Sequence, residues 1–328
     1  MAMRIGVTGA GGFVGNALVA ELAKGGLSHG LNGTSIELVA IDAQLPASLP
    51  ATAERAEGDL TDTAFLDKVF SRPFDLFYHL AAIPGGAAAR DYDLGWRVNV
   101  EASVALLNRL AAQPSPARLV FASSIGVFGI PLPGDKVDDE TLALPTMSYG
   151  TQKLMIEALV TDFSRQGLVD GIAVRLPGII ARPRIKGGHL SAYMSDILHA
   201  LRAGEPFVCP VSADATSWFM SRARCVENLI HAGSLPRERL GARRAFNLPA
   251  LTLTMTALVE GAASHFGPQV PSLVIYEPNE ALQAQFGSYP ELLTPIADGL
   301  GFTHDGDAAM LVARALELSN ETSQRGAA

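Results

Sequence analysis

Glycines at positions 9, 12 and 15 fall between an apolar run at 4–8 and a helix-length segment whose apolar residues recur with helical period. No other feature constrains the fold as much. A G-x-x-G-x-x-G spacing directly after a strand gives a tight turn at its first glycine and close backbone approach to a pyrophosphate at its second. The third glycine lets helix pack closely on strand. The free N–H groups at the start of that helix are suited to phosphate oxygens. The chain repeats the same alternation. Strands are expected at 36–42, 76–80, 118–123 and 171–176, and helices at 12–25, 63–71, 95–112 and 149–167. Short apolar runs alternating with amphipathic helices specify a parallel sheet covered on both faces.

After residue 176 the rhythm changes. The stretch 177–188 is rich in glycine, proline and cations and reads as a long functional loop, followed by helices at 191–203, 224–233 and 307–318. Hydrophobic residues make up 48% and charged residues 18%, which fits a large buried core. The net charge of −8, without a long Lys/Arg run, argues against nucleic-acid and anionic-membrane partners. No apolar stretch is long enough for a membrane span, and the first residues lead straight into a strand rather than a signal peptide, so a cytoplasmic protein is expected. The two cysteines, Cys209 and Cys225, exclude a disulfide scaffold and read as core residues. No H-E-x-x-H or acid cluster points to a metal, and no G-x-S-x-G elbow points to a hydrolase.

The glycine loop has candidate companions. Asp42 ends the second strand, where a carboxylate accepts hydrogen bonds from both hydroxyls of an adenosine ribose and repels a 2′-phosphate; NAD is therefore expected over NADP. Tyr149 and Lys153 lie four residues apart at a helix start and share a face. A lysine cation beside a phenol favours phenolate and fits Tyr149 for acid–base work. Ser124 ends a central strand, where the ligand crevice of an open α/β sheet lies.

Together these residues resemble the extended short-chain dehydrogenase/reductase superfamily, in its NAD-dependent epimerase/dehydratase-like branch. The carriers are TGAGGFVG at 8–15, Asp42, Gly58-Asp59-Leu60, His79-Leu80-Ala81-Ala82, Asn99 in RVNV, Ser123-Ser124 and Tyr149-x-x-x-Lys153. The resemblance covers nearly the whole chain. It implies an α/β fold: a Rossmann-type doubly wound parallel sheet with a smaller, partly interleaved C-terminal substrate domain. Residues 1–176 would bind NAD, with a return segment at about 218–248, and 177–217 with 249–328 would form the substrate region. It places Gly9, Gly12, Phe13, Val14, Gly15, Asp42, Asp59, Leu60, Leu80, Ala81, Ala82 and Pro177 at the cofactor. Asn99 would support Lys153 through water, and Ser124, Tyr149 and Lys153 would form the catalytic set.

Two departures bear on the substrate. Nucleotide-sugar members carry an asparagine-bearing segment where this chain has Arg175-Leu176-Pro177-Gly178, and an Arg-Asp-Phe run where it has TSWFMSRAR at 216–224. Instead the chain resembles D-erythronate dehydrogenases through DYDLGWRVNV at 91–100, RLP at 175–177, Arg182-Pro183, VCPV at 208–211, and WFMS at 218–221 with Glu227-Asn228-Leu229. That resemblance implies oxidation of a secondary hydroxyl in a small sugar acid. The alternative is a nucleotide-sugar 4-epimerase working through the same Tyr149. A carboxylate substrate needs a cationic anchor. Arg182, Arg184 and Arg224 are the candidates, within or near a 175–188 stretch that also holds Arg175 and Lys186 and no acid. His79 is expected to be a buried residue of the cofactor wall, and His189 to be exposed. Surplus apolar surface on the helices at 95–112 and 149–167 (Val104, Leu107, Leu110, Leu154, Ile156, Leu159, Val160, Phe163) is expected to pair two subunits in a homodimer.

Overall fold

A computed structural model describes residues 2–24, 35–132, 134–184 and 191–318. Its centre is a seven-stranded parallel sheet: β1 (Met3–Thr8), β2 (Ile36–Asp42), β3 (Glu54–Glu57), β4 (Leu76–His79), β5 (Arg118–Ser124), β6 (Asp170–Leu176) and β7 (Ala245–Asn247). The spatial order is β7-β6-β5-β4-β1-β2-β3. The order reverses beside β1, which creates a crevice at the carboxyl ends of β1 and β4.

Alternate residues of each strand enter opposite cores, as the pleat requires. Val120 of β5 faces one core with Leu18 and Leu22 of helix α1 (Phe13–Ala23). Its neighbours Leu119 and Phe121 face the other, with Leu107 and Leu110 of α3 (Ala102–Ala111) and Ile156 and Val160 of α4 (Ser148–Arg165). Those four helix residues are thus covered by the sheet rather than left as surplus. Leu154, Leu159, Phe163 and Val104 are partly buried. Helix α2 (Thr63–Val69) completes that second layer. Fully burying one such Leu or Ile stabilises the fold by about 1.5–3 kcal/mol. Cys209 and Cys225 are both core residues.

The expected helix at 95–112 proves to be three pieces. Tyr92–Trp96 is α-helical, Arg97–Glu101 widens into a π turn, and α3 follows. β3 was not expected at all, since its ERAE sequence is exposed and charged at the sheet edge.

A third core lies in the second half of the chain, where α5 (Tyr193–Ala203), α7 (Met255–Phe266) and α8 (Ala308–Ala315) pack around Phe219. A small sheet of Gly178–Ile179, Thr216–Met220 and Leu251–Thr254 borders it. Helix α6 (Arg222–Ser234) returns to the first core, and β7 then pairs with β6. The expected return segment at about 218–248 contains that helix and strand, whereas Trp218 and Phe219 pair with the small sheet. At the amino ends of the main sheet, Asp170 is held by Arg118 at 2.5 Å and Arg244 at 3.0 Å, joining β5, β6 and the entry to β7. Among the described residues no helix is long and apolar enough to cross a membrane.

Candidate active site

Gly9 follows β1 with φ +73°, and a Cβ there would lie 2.7 Å from the Ala81 backbone nitrogen. A Cβ on Gly15 would lie 2.0 Å from the Gly9 carbonyl oxygen, so α1 lies tightly against the turn because both residues lack side chains. Elsewhere Asp62, Ser221 and Thr254 cap helix N-termini with their side chains. The N-cap of α1 is Gly12, without a side-chain cap and without an acid in the first turn. Among the described residues the start of α1 therefore offers backbone donors and a positive dipole end without a side-chain cap. Asp42 at the end of β2 is tied to this loop, its Oδ2 accepting from Gly11 N at 2.9 Å.

A cavity of about 610 Å³ opens from the loop and is lined by Gly9, Gly12, Phe13, Val14, Gly15, Leu80, Ala82, Ser124, Tyr149, Lys153, Pro177 and Arg182, among others. Its size suits a small-molecule or cofactor site. The glycine cradle and uncapped helix end fit the pyrophosphate of a dinucleotide. Asp42, Asp59, Leu60, Ala81 and Asn99 are not among the residues lining the cavity. Asp59 is exposed and caps a turn by accepting from Thr61 N, and Leu60 is buried.

Tyr149 and Lys153, on the first turns of α4, and Ser124, at the end of β5, meet on one cavity wall. Lys153 is 2% exposed; its Nζ donates to the Ala122 carbonyl at 2.7 Å and lies 4.6 Å from the Phe121 ring centroid and 5.6 Å from that of Tyr149. Burial pushes its pKa down to about 7, and Glu157 opposes that fall. For Tyr149 the balance differs from expectation. Burial raises its pKa; Arg182 chiefly, and then the Ser124 hydroxyl, pull it back. Lys153, with its pKa at about 7, is neutral before a phenol of raised pKa ionises, and Arg182 carries the main opposing charge.

The three candidate anchors separate. Arg182 is positioned by Ala181, a non-glycine residue at φ +59°, and lines the cavity; among the described residues its guanidinium makes one hydrogen bond, Nε to the Ile179 carbonyl at 3.0 Å. Arg184 and Arg224 are not among the residues lining the cavity. Arg184 is half exposed, 3.5 Å from Glu205 and 3.3 Å from the Asp196 carbonyl. Arg224 is 2.6 Å from Glu227 and 2.9 Å from Thr303 Oγ1. Arg175 does not add to a cationic loop, because Glu157 holds it at 2.8 Å. Lys186 and His189 lie outside the described residues. Two charged cavity residues escaped the sequence reading: Arg90, an exposed cation ending Gly85–Arg90, and Asp196 on α5, the one acid among the described lining residues. A glycine–alanine run gave no signal for the first, and the regular helix repeat none for the second.

Asn99, 3% exposed, sits in the π turn, a distortion that recurs at functional sites. Its Nδ2 donates to Gln152 Oε1 at 2.7 Å and to the Ile83 carbonyl, while its Oδ1 accepts from Ile83 N at 2.7 Å. It thus grips the residue before Lys153 directly. Behind it, the Ser103 hydroxyl donates to the Asn99 carbonyl at 2.8 Å and so accepts from His79 Nε2–H at 2.8 Å. Nδ1 is left to accept from Thr8 Oγ1 at 2.7 Å. His79 is neutral: burial pushes its pKa down to about 3, helped by Lys153. It is a buried strut behind the cavity wall rather than part of the lining.

The model of the NAD dependent epimerase/dehydratase family matches residues 5–218. The chain belongs to that family. It is an NAD(H)-linked enzyme of the short-chain dehydrogenase type. It is 35% identical to a D-erythronate dehydrogenase of Cupriavidus necator over 88% of this chain and 90% of the relative. It is 32% identical to a D-erythronate dehydrogenase of Haemophilus influenzae over 96% and 99%. Among solved structures, a nucleoside-diphosphate-sugar epimerase from Agrobacterium tumefaciens superposes with a TM-score of 0.87 at 32% identity, covering 97% of this chain and 94% of the other.

Proposed function

We propose that this family member is a dehydrogenase using NAD in preference to NADP, and that it oxidises a secondary hydroxyl of a small sugar acid of the D-erythronate type to the 2-keto acid. Arg182 carries the reading: a largely buried guanidinium on the cavity wall beside Tyr149, with no carboxylate partner among the described residues. A largely buried cation without a carboxylate partner among the described residues is suited to an anionic substrate. The two relatives named D-erythronate dehydrogenase act on such an acid. Asp42 at the ribose end opposes a 2′-phosphate.

In the cleft, NAD supplies the two-electron acceptor. Arg182 holds the substrate carboxylate, Ser124 Oγ hydrogen-bonds the reacting oxygen, and Tyr149 Oη takes the hydroxyl proton. Lys153 favours the phenolate while protonated, and that help fades as pH rises through about 7. Above that pH the phenolate depends chiefly on Arg182 and Ser124. We further propose a homodimer through the partly buried Val104, Leu159 and Phe163; sedimentation at the mass of one chain would remove it.

The deciding experiment offers NAD with four- to six-carbon aldonates and, separately, nucleotide sugars, reading NADH absorbance. The expected result is NADH formed in step with loss of an aldonate. Turnover confined to nucleotide sugars without net NADH would make the chain an epimerase. A Tyr149→Phe protein of full activity would remove the proposed base.

A further inference from the structure

The wall behind Lys153 holds a polar chain that the reaction above does not use. Glu157 lies one helical turn beyond Lys153 on α4 and is 3% exposed. It accepts from Ser123 Oγ on β5 at 2.5 Å and from Arg175 on β6, with Nη2 at 2.8 Å and Nε at 3.0 Å. Arg175 Nη1 in turn donates to Asn247 Oδ1 on β7 at 3.3 Å. One carboxylate therefore joins the helix of Tyr149 and Lys153 to three adjacent strands at their site-facing ends. Ser123 is the neighbour of Ser124, and Lys153 Nζ bonds the carbonyl immediately before it. The Arg118–Asp170–Arg244 cluster already ties the same strands at their amino ends, so sheet cohesion alone does not call for a second buried ion pair.

We propose that Glu157 is a positioning residue for the reaction: it registers the Tyr149–Lys153 helix against the strand carrying Ser124 and supplies the negative charge that keeps Lys153 cationic. The surroundings of Lys153 leave that task to Glu157. The Tyr149 phenol is one turn back on the same helix, and His79 on β4 is neutral. Arg175 stands beyond Glu157, and Arg182 lies by Tyr149. Of the charges in this group, only Glu157 raises the Lys153 pKa against burial.

The inference rests on the proposed roles of Tyr149 and Lys153, and its test separates the two. Glu157→Gln keeps the volume and an acceptor for Ser123 but removes the charge. In the cofactor-free protein, the pH dependence of Lys153 acetylation by acetic anhydride, located by peptide mass spectrometry, gives its titration midpoint. That midpoint is expected to fall by about one pH unit or more. In the oxidation assay kcat is expected to fall about tenfold at neutral pH with KM little changed, and the alkaline limb to move to lower pH. Glu157→Asp, which retains the charge, should restore the midpoint. If Glu157→Gln fails to fold, Glu157→Gln/Arg175→Gln removes both members of the buried ion pair, so that Arg175 is not left without its partner, and should show the same lowered midpoint. An unchanged Lys153 midpoint in folded Glu157→Gln or in the folded double variant, or a loss confined to KM, overturns the proposal. Full activity in Lys153→Met would instead overturn the underlying reading.

Discussion

Replacing Arg182 with methionine tests the substrate anchor and the acid–base balance in one protein. Methionine keeps much of the side-chain length and apolar stem while removing the fork of donors. A hydrogen bond to a charged group is worth about 1.5–3 kcal/mol, which at about 1.4 kcal/mol per decade predicts an approximately 10- to 150-fold loss in kcat/KM for an aldonate. The second effect has a fixed sign. Arg182 is the main charge holding the Tyr149 pKa down against burial, so its loss raises that pKa. Oxidation needs the phenolate, and the rise of activity with pH must therefore move to higher pH; ketone reduction, which needs the phenol, should be spared that shift. The assay is steady-state oxidation across pH with NADH read by absorbance, beside NADH affinity measured by fluorescence. Cofactor affinity should stay within about threefold, because the proposed phosphate cradle is the glycine loop rather than Arg182. Arg182→Lys should recover part of the loss through charge without the bidentate geometry. Arg184→Met and Arg224→Met are the controls, since Glu205 and Glu227 already engage them, and each should change KM less than about twofold. An aldonate KM and a pH limb both unchanged in Arg182→Met would refute the reasoning.

Three further outcomes follow from the geometry. Gly15→Ala places a Cβ 2.0 Å from the Gly9 carbonyl and should weaken NADH binding by about tenfold or more in a fluorescence titration, whereas wild-type affinity would contradict the cradle. Asp42→Asn should raise the kcat/KM ratio of NADP to NAD by about tenfold or more, since unit charges about 4 Å apart near a surface repel by about 4 kcal/mol; an unmoved ratio would place the ribose elsewhere. His79 has a folded pKa of about 3, below its unfolded value, so the unfolded chain binds more protons between the two and stability falls with pH from about 6.5 downward. At about 1.4 kcal/mol per unit, His79→Gln should lose about 2 kcal/mol less than wild type between about pH 6.5 and about pH 5 in urea melts, and equal losses would show that His79 does not titrate this way.

What was legible in the sequence and what was not divides along physical lines. The buried strands were legible because both faces are covered, leaving apolar runs such as Ile36–Asp42. The glycine loop was legible because a backbone at φ +73° against Ala81 N leaves no room for another residue. β3 was hidden because an edge strand carries charges on purpose, and the π turn because a helix widened at Asn99 has the same composition as a regular one. The arginines were the hardest. Arg175, Arg182, Arg184 and Arg224 look alike in sequence; whether one faces the cavity depends on acids far along the chain, such as Glu157 for Arg175 and Glu205 for Arg184. The same distance hid the main charge acting on Tyr149, which comes from Arg182 rather than from its helical neighbour.

The crossover from β6 to β7 leaves the sheet at Leu176 and re-enters at Ala245, on directly paired strands. Between those points it supplies Arg182 and Asp196 to the cavity, while Gly9, Gly12 and Gly15 lie before it. Such an excursion behaves like a cassette mounted between two neighbouring sockets. A foreign crossover with the same entry and exit, and with the α6 packing face retained, would exchange the cavity wall that carries Arg182 and Asp196 and leave the glycine loop as it is. Contacts with the later chain limit the exchange: Thr216–Phe219 pair with Leu251–Thr254, Phe219 packs against α7 and α8, and Ser221 bonds Asp305, so any transplant has to keep these partners or bring its own.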